Sequence, residues 1–204
     1  IKAVGSIVIK NIDLEHYNIK QYFDEGLLKC KFGSIEAELF VAPQNIIYFE
    51  LKAPSENDLP DVAIKLPDTC ASVNSAFAEG NVTCYTRKFE SEDVAPSTAV
   101  SVALRELTDK GGLDFNTKRF CVAVASSFDA DAHEKKSVEM ALNANYDTDK
   151  AKTREKWQKF FDSSKVTLED KKIERLYNLS LYLLACCMGN KKFPPGLFGN
   201  FITD

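Results

Sequence analysis

At 204 residues the chain can bury a substantial core, as one large domain or as a domain with an appendage. Its 45% hydrophobic and 27% charged content match an ordinary globular protein. A formal charge of −4 with no Lys/Arg run argues against a nucleic-acid partner, and no apolar run approaches the roughly 20 residues of a membrane span.

The start, Ile1-Lys2-Ala3-Val4-Gly5, reads like the inside of a strand and not like a signal peptide. Either a signal has been removed or more domain precedes it, so the compartment stays open from this end. Residues 1–128 read as a β-rich domain. The clearest unit is Leu27–Val41, where Leu28, Cys30 and Phe32 alternate with Lys29 and Lys31, and Ile35, Ala37 and Leu39 alternate with Glu36 and Glu38. Between them Gly33-Ser34 suits a type II′ turn. Folding the hairpin there sets Phe32 opposite Ile35, Cys30 opposite Ala37 and Leu28 opposite Leu39 on one side. On the other side Lys31 meets Glu36 and Lys29 meets Glu38. One buried face and one solvated face is the pattern of an antiparallel sandwich.

Further strands are expected at Ile47–Lys52, Val62–Leu66, Val82–Tyr85, Val100–Leu104 and Phe120–Val124. Helix-forming residues dominate residues 129–204. Helices are expected over Ser137–Asn145 and over Lys150–Asp162, the latter with Trp157, Phe160 and Phe161 on one face. A third is expected over 168–188, begun by a Thr167/Asp170 capping box and ended at Gly189.

Six cysteines are too few for a disulfide framework, although pairing of Cys70 with Cys84 stays open. With no CxxC, and with His16 and His133 as the only histidines, no metal site is expected, and no cofactor. Asp129 and Asp131 hint at a calcium loop, but Glu134 stands where that loop needs Gly. There is no phosphate-binding fingerprint and no nucleophile elbow.

Phe193–Asp204, reading FPPGLFGNFITD, combines Pro-Pro, two glycines and aromatics in one loop. Aromatic faces stack on sugar C–H faces, and glycine backbone can approach hydroxyls closely. The candidate substrate-binding residues are therefore Gly196, Phe198, Gly199, Asn200, Phe201 and Asp204. No residue of the chain is assigned a catalytic role.

Trp157, then Ser164-Lys165-Val166, then Leu176-Tyr177-Asn178 with Tyr182-Leu183-Leu184, then Pro194–Asn200 form a series. It resembles the linker and first barrel helix of six-hairpin glycoside hydrolases, especially the bacterial α-L-fucosidase family and its relatives. Asn11-Ile12-Asp13-Leu14 and Ile46-Ile47-Tyr48-Phe49 look like strand patterns of that family's N-terminal sandwich.

The resemblance implies an antiparallel β-(super)sandwich, a helical linker and the first helix of an α/α toroid. It also implies inverting hydrolysis of a glycosidic bond in an oligo- or polysaccharide, with the catalytic groups beyond Asp204, and a periplasmic or secreted location. Two positions depart from it. Thr153 stands where many relatives carry His, and Phe198 where the fucosidases carry Gln, so the sugar is left unassigned.

Without its barrel partners, the helix over 168–188 is expected to self-associate through Leu176, Tyr177, Leu184 and Met188, or to dock back on the sandwich. The rival reading is a non-catalytic glycan-binding or structural sandwich, with Tyr48 and Tyr85 as platforms on a solvated sheet face.

Overall fold

The computed structural model describes residues 4–67, 72–89, 97–107, 116–164 and 166–188. They form a mixed β/α chain with two antiparallel sheets and three α-helices. The strands are β1 (Ser6–Ile9), β2 (Tyr17–Tyr22), β3 (Leu27–Phe32), β4 (Ile35–Ala42), β5 (Ile46–Lys52), β6 (Val62–Lys65), β7 (Ser72–Glu79), β8 (Val82–Phe89), β9 (Thr98–Leu107) and β10 (Thr117–Ser126). A short 3-10 turn, Phe23–Glu25, separates β2 from β3. The helices are α1 (His133–Leu142), α2 (Tyr146–Ser163) and α3 (Lys171–Met188). The large sheet runs β2-β3-β4-β5-β10-β9-β8-β7, and β1 pairs with β6 as a separate ribbon.

The β3–β4 hairpin has the register its alternation requires. Phe32 faces Ile35, Cys30 faces Ala37 and Leu28 faces Leu39, with Lys31 opposite Glu36 and Lys29 opposite Glu38. Gly33 takes φ 58 while Ser34 keeps a negative φ, as a type II′ turn demands.

Both faces of the large sheet are covered. On one, Cys30, Ala37, Phe49, Leu51, Phe120 and Val122 form a core with Ile64 of β6, and Ile7, Ile9 and Val62 of the ribbon pack against it. On the other, Leu27, Phe40, Tyr48, Cys84, Ala103 and Cys121 are sealed by Val138 and Ala141 of α1 and by Tyr146 at the head of α2. Arg105 of β9 donates from one guanidinium nitrogen to the carbonyls of Ala141 and Leu142, at 2.9 and 2.8 Å. It thereby ties the negative end of α1 to the sheet.

The second face departs from the expectation of a solvated side. The charges of β3 and β4 occupy only part of it, and Leu27 and Phe40 in the same rows are buried under helix. Asn11–Leu14, expected to follow a strand pattern, is a turn: Asn11 has φ 59, and Asp13 accepts from the Glu15 amide at 2.8 Å. Strands β2 and β7 escape the alternation test because neither edge strand buries a face.

The helices start earlier or later than expected. α1 begins at His133, four residues before Ser137, and α2 begins at Tyr146, where Asn145 caps it by accepting from the Thr148 amide at 3.0 Å. The expected Thr167 cap of α3 is replaced by Asp170, whose carboxylate accepts from the amides of Lys172 and Ile173 at 2.8 and 3.3 Å. No described helix is long and apolar enough to cross a membrane.

Candidate functional site

The loop residues read as substrate contacts, Gly196, Phe198, Gly199, Asn200, Phe201 and Asp204, lie outside the described residues. So does Cys70, while Cys84 is a free, buried thiol. The rival platform does not form. Tyr48 is fully buried, and Tyr85 lies on the opposite face of the sheet, half-buried against the ribbon-side core. The alternation in β5 places Tyr48 on the face opposite Phe49 and Leu51, but α2 closes over that face.

That closure builds a heavily charged site. Tyr48 of β5 donates to Asp149 Oδ2 at 2.5 Å, and Gln44 reaches the other carboxylate oxygen at 3.5 Å. Burial first, and the neighbouring Asp149 carboxylate second, hold the Tyr48 phenol well above the usual tyrosine range.

One turn earlier on the helix, Tyr146 donates to Glu38 Oε1 at 3.0 Å, and Lys150 ion-pairs with the same oxygen. Lys29 lies 3.7 Å from Oε2. Burial, then Glu38 and Glu50, raise the Tyr146 phenol also. Glu50, directly across from Glu38 in the β4–β5 register, is held by Arg119 Nε at 2.6 Å. Arg119 also reaches Asp147 at 3.2 Å, and its guanidinium stands over the Tyr146 ring at 4.1 Å. Two cross-strand carboxylates that would repel each other are thus each neutralised by a cation.

These groups open onto a recess of about 340 Å³ floored by Lys20, Tyr22, Lys29, Lys31, Glu36 and Lys52. It offers ammonium donors, carboxylate acceptors and one aromatic ring. The sequence signal for it is present but diffuse: Lys29, Lys31, Glu36 and Lys52 sit at polar positions of alternating strands, while Lys20 and Tyr22 belong to β2, which shows no alternation.

A second polar cluster lies between β8, β9 and α1. Thr86 and Ser101 share a hydrogen bond at 2.8 Å, and Ser101 Oγ meets His133 Nδ1 at 2.7 Å. Ser101 is wholly buried, so no substrate carbonyl can reach it; this is a satisfied core network.

The aromatic stripe of α2 makes a third feature. Trp157 rests on Gly26 and meets Tyr182 of α3 at 4.8 Å between ring centroids, while Phe23 meets Tyr182 at 5.2 Å and Phe161 at 6.5 Å. Trp157 is therefore a helix–core contact, as its position on the stripe predicts. Beside it runs a groove of about 760 Å³ between α3 and the β3–β4–β5 end of the sheet, lined by Leu28, Leu39, Val41, Ile47 and Cys186.

No protein-family model matches this chain, and no curated protein matches it at a significant level.

Among the described residues no three His, Cys, Asp or Glu side chains converge as metal ligands. The buried thiols Cys30, Cys84 and Cys121 are all raised by desolvation, Cys121 to about 12, which makes them poor nucleophiles at neutral pH.

Proposed function

We propose that this chain is the β-sandwich, helical linker and first toroid helix of a carbohydrate-active hydrolase. In this reading its catalytic acid and water-activating base come from helical hairpins that follow α3. The observation that carries it is the state of α3. The helix is amphipathic, yet buries none of its residues: Ile173, Leu176, Leu184 and Met188 are 55%, 61%, 55% and 63% exposed. An apolar stripe of that length needs a covering layer, and a second helix of a hairpin array supplies one.

Inversion needs two carboxyl groups about 6.5–9.5 Å apart with a water between them. Glu38 and Glu50 do not serve. Both are tied into ion pairs, Glu38 with Lys150 of α2 and Glu50 with Arg119 of β10. The role of this part is then to brace the barrel through the Phe23–Trp157–Tyr182 joint and to offer the Gly196–Asp204 loop to a saccharide. A periplasmic or secreted location goes with that role.

The test compares this chain with one extended past Asp204, both assayed on a panel of aryl glycosides. Turnover by the extended chain alone supports the reading. Robust turnover by the 204-residue chain, or none by an extended and folded chain, sinks it.

A further inference from the structure

The large sheet has two ends, and they differ. At one, β2 carries Lys20 at mid-strand, a usual safeguard against edge pairing. At the other, β7 pairs only with β8 among the described residues. From Ser72 to Ala78 it has no charge, no proline and no glycine, and its side chains from Val73 to Glu79 are all exposed. Seven uncharged residues of regular strand, Ser72–Ala78, with an edge unpaired among the described residues form a template for another strand.

The direction of its free backbone groups follows from the turn. Gly80-Asn81 is a two-residue connection, with Gly80 at φ 59 and Glu79 paired with Val82. In such a hairpin the closing pair exchanges both hydrogen bonds, and the backbone alternates from there. Glu79, Phe77, Ser75 and Val73 therefore turn their amides and carbonyls toward β8. Ala78, Ala76, Asn74 and Ser72 turn theirs to the open edge.

We propose that the occupant of this edge is a second copy of the chain, with the two β7 strands antiparallel about a two-fold axis at Ser75. That register puts Asn74 against the partner's Ala76 and Ser72 against the partner's Ala78, all outward-facing positions. About eight new backbone hydrogen bonds result. Between them, at the closer non-hydrogen-bonded positions, Val73 meets the partner's Phe77 and Ser75 meets the partner's Ser75. The two large apolar side chains of β7, at 53% and 41% exposure, thus cover each other across the axis.

Charge favours the same arrangement. The chain as a whole is at −4, and the interface is uncharged. The one acidic group of the strand, Glu79, lies at opposite ends of the joined pair, roughly 26 Å from its mate at about 3.3 Å per residue. That is beyond the screening length of about 8 Å at physiological salt. An isologous contact of this kind closes on itself and stops at two.

The test is a register-specific cross-link. In a chain with Cys70, Cys186 and Cys187 replaced by serine, Ser75→Cys brings two thiols together at the axis. Asn74→Cys leaves its pair about 8 Å apart at Cα, outside disulfide reach. Mild oxidation followed by a non-reducing gel should give a covalent dimer with Ser75→Cys and none with Asn74→Cys. Adding Ala76→Pro removes an outward amide without touching the β8 ladder, and should abolish the cross-link. Sedimentation of the unmodified chain should show a dimer that Ala76→Pro weakens at least about tenfold, equivalent to about 1.4 kcal/mol. Circular dichroism checks that the hairpin survives, and Phe77→Lys is the substitute if Ala76→Pro does not fold. A monomer at all concentrations, equal cross-linking at 74 and 75, or a cross-link lost on Leu184→Gln/Met188→Gln in α3 overturns the proposal.

Discussion

Trp157 packs so closely on Gly26 that a Cβ at position 26 would stand 2.0 Å from the indole Cδ1. The same glycine sits at φ 62, ending the 3-10 turn that carries Phe23 into the aromatic joint. Two independent requirements, a left-handed backbone and an absent side chain, therefore meet at one residue.

Gly26→Ala should cost about 3 kcal/mol, more than the roughly 1 kcal/mol of a left-handed alanine alone, because the indole must also move. Denaturant unfolding of Gly26→Ala beside Gly80→Ala separates the two contributions. Gly80 has the same sign of φ, at 59, and a Cβ added there would meet nothing within 4 Å. Equal losses at the two sites would refute the packing account.

The α2–sheet junction should be read out by alkaline titration. Tyr48, Tyr146 and Cys121 all have folded-state values raised above their ordinary ones, so the fold favours their protonated forms. The stability they contribute is complete below about pH 9 and is lost as pH rises, Cys121 titrating only near 12 in the folded chain. Tyrosinate absorbance from these two phenols should therefore lag behind that of a free tyrosine, at about pH 10, and then appear together with unfolding. Tyr48→Phe should flatten the upper part of the pH–stability curve.

Glu38 is the hub of the polar side. Its carboxylate serves Tyr146, Lys150 and Lys29, with 15% of the side chain exposed. Glu38→Ala should destabilise by about 2 kcal/mol, chiefly because it leaves the buried Tyr146 phenol without its acceptor, with a smaller part from the pairs to Lys150 and Lys29. Glu36→Ala, whose pair with Lys31 is 61% and 59% exposed, should lie within about 0.5 kcal/mol of wild type. Chemical denaturation at low and high salt checks both, with only the second expected to vanish in salt.

Leu176→Gln together with Leu184→Gln should leave the melting of this chain within about 0.5 kcal/mol of wild type, because neither side chain is buried. In a chain extended past Asp204 the same pair should cost several kcal/mol if helices cover α3 there. Thermal unfolding of the four proteins supplies the comparison.

The hairpin Leu27–Val41 was legible because one of its faces is wholly apolar and the other carries paired charges, so only one register satisfies both. Tyr48 was misleading for the same reason. Alternation shows which residues share a face, and it is silent on whether a helix covers that face. Tyr48 meets Asp149, and Glu38 meets Tyr146, each across more than a hundred positions of sequence, and only the fold of α2 onto β4 and β5 creates the site. The cap of α3 shows a smaller version of this. The expected box takes Thr167 as cap and Asp170 as its partner three residues on; in the fold Asp170 itself caps the helix, and Glu174 turns back to the Leu168 amide at 2.9 Å.

Trp157 is the only tryptophan in the chain, and it stands where the Phe23 turn, α2 and α3 meet. Intrinsic fluorescence of this protein is therefore a single-site optical probe of that joint. Tyr182, 4.8 Å away, and Lys156, 5.7 Å from the ring, are the nearest reporters of change in its emission. Any partner that lifts or clamps α3 will register as a shift in colour without a label.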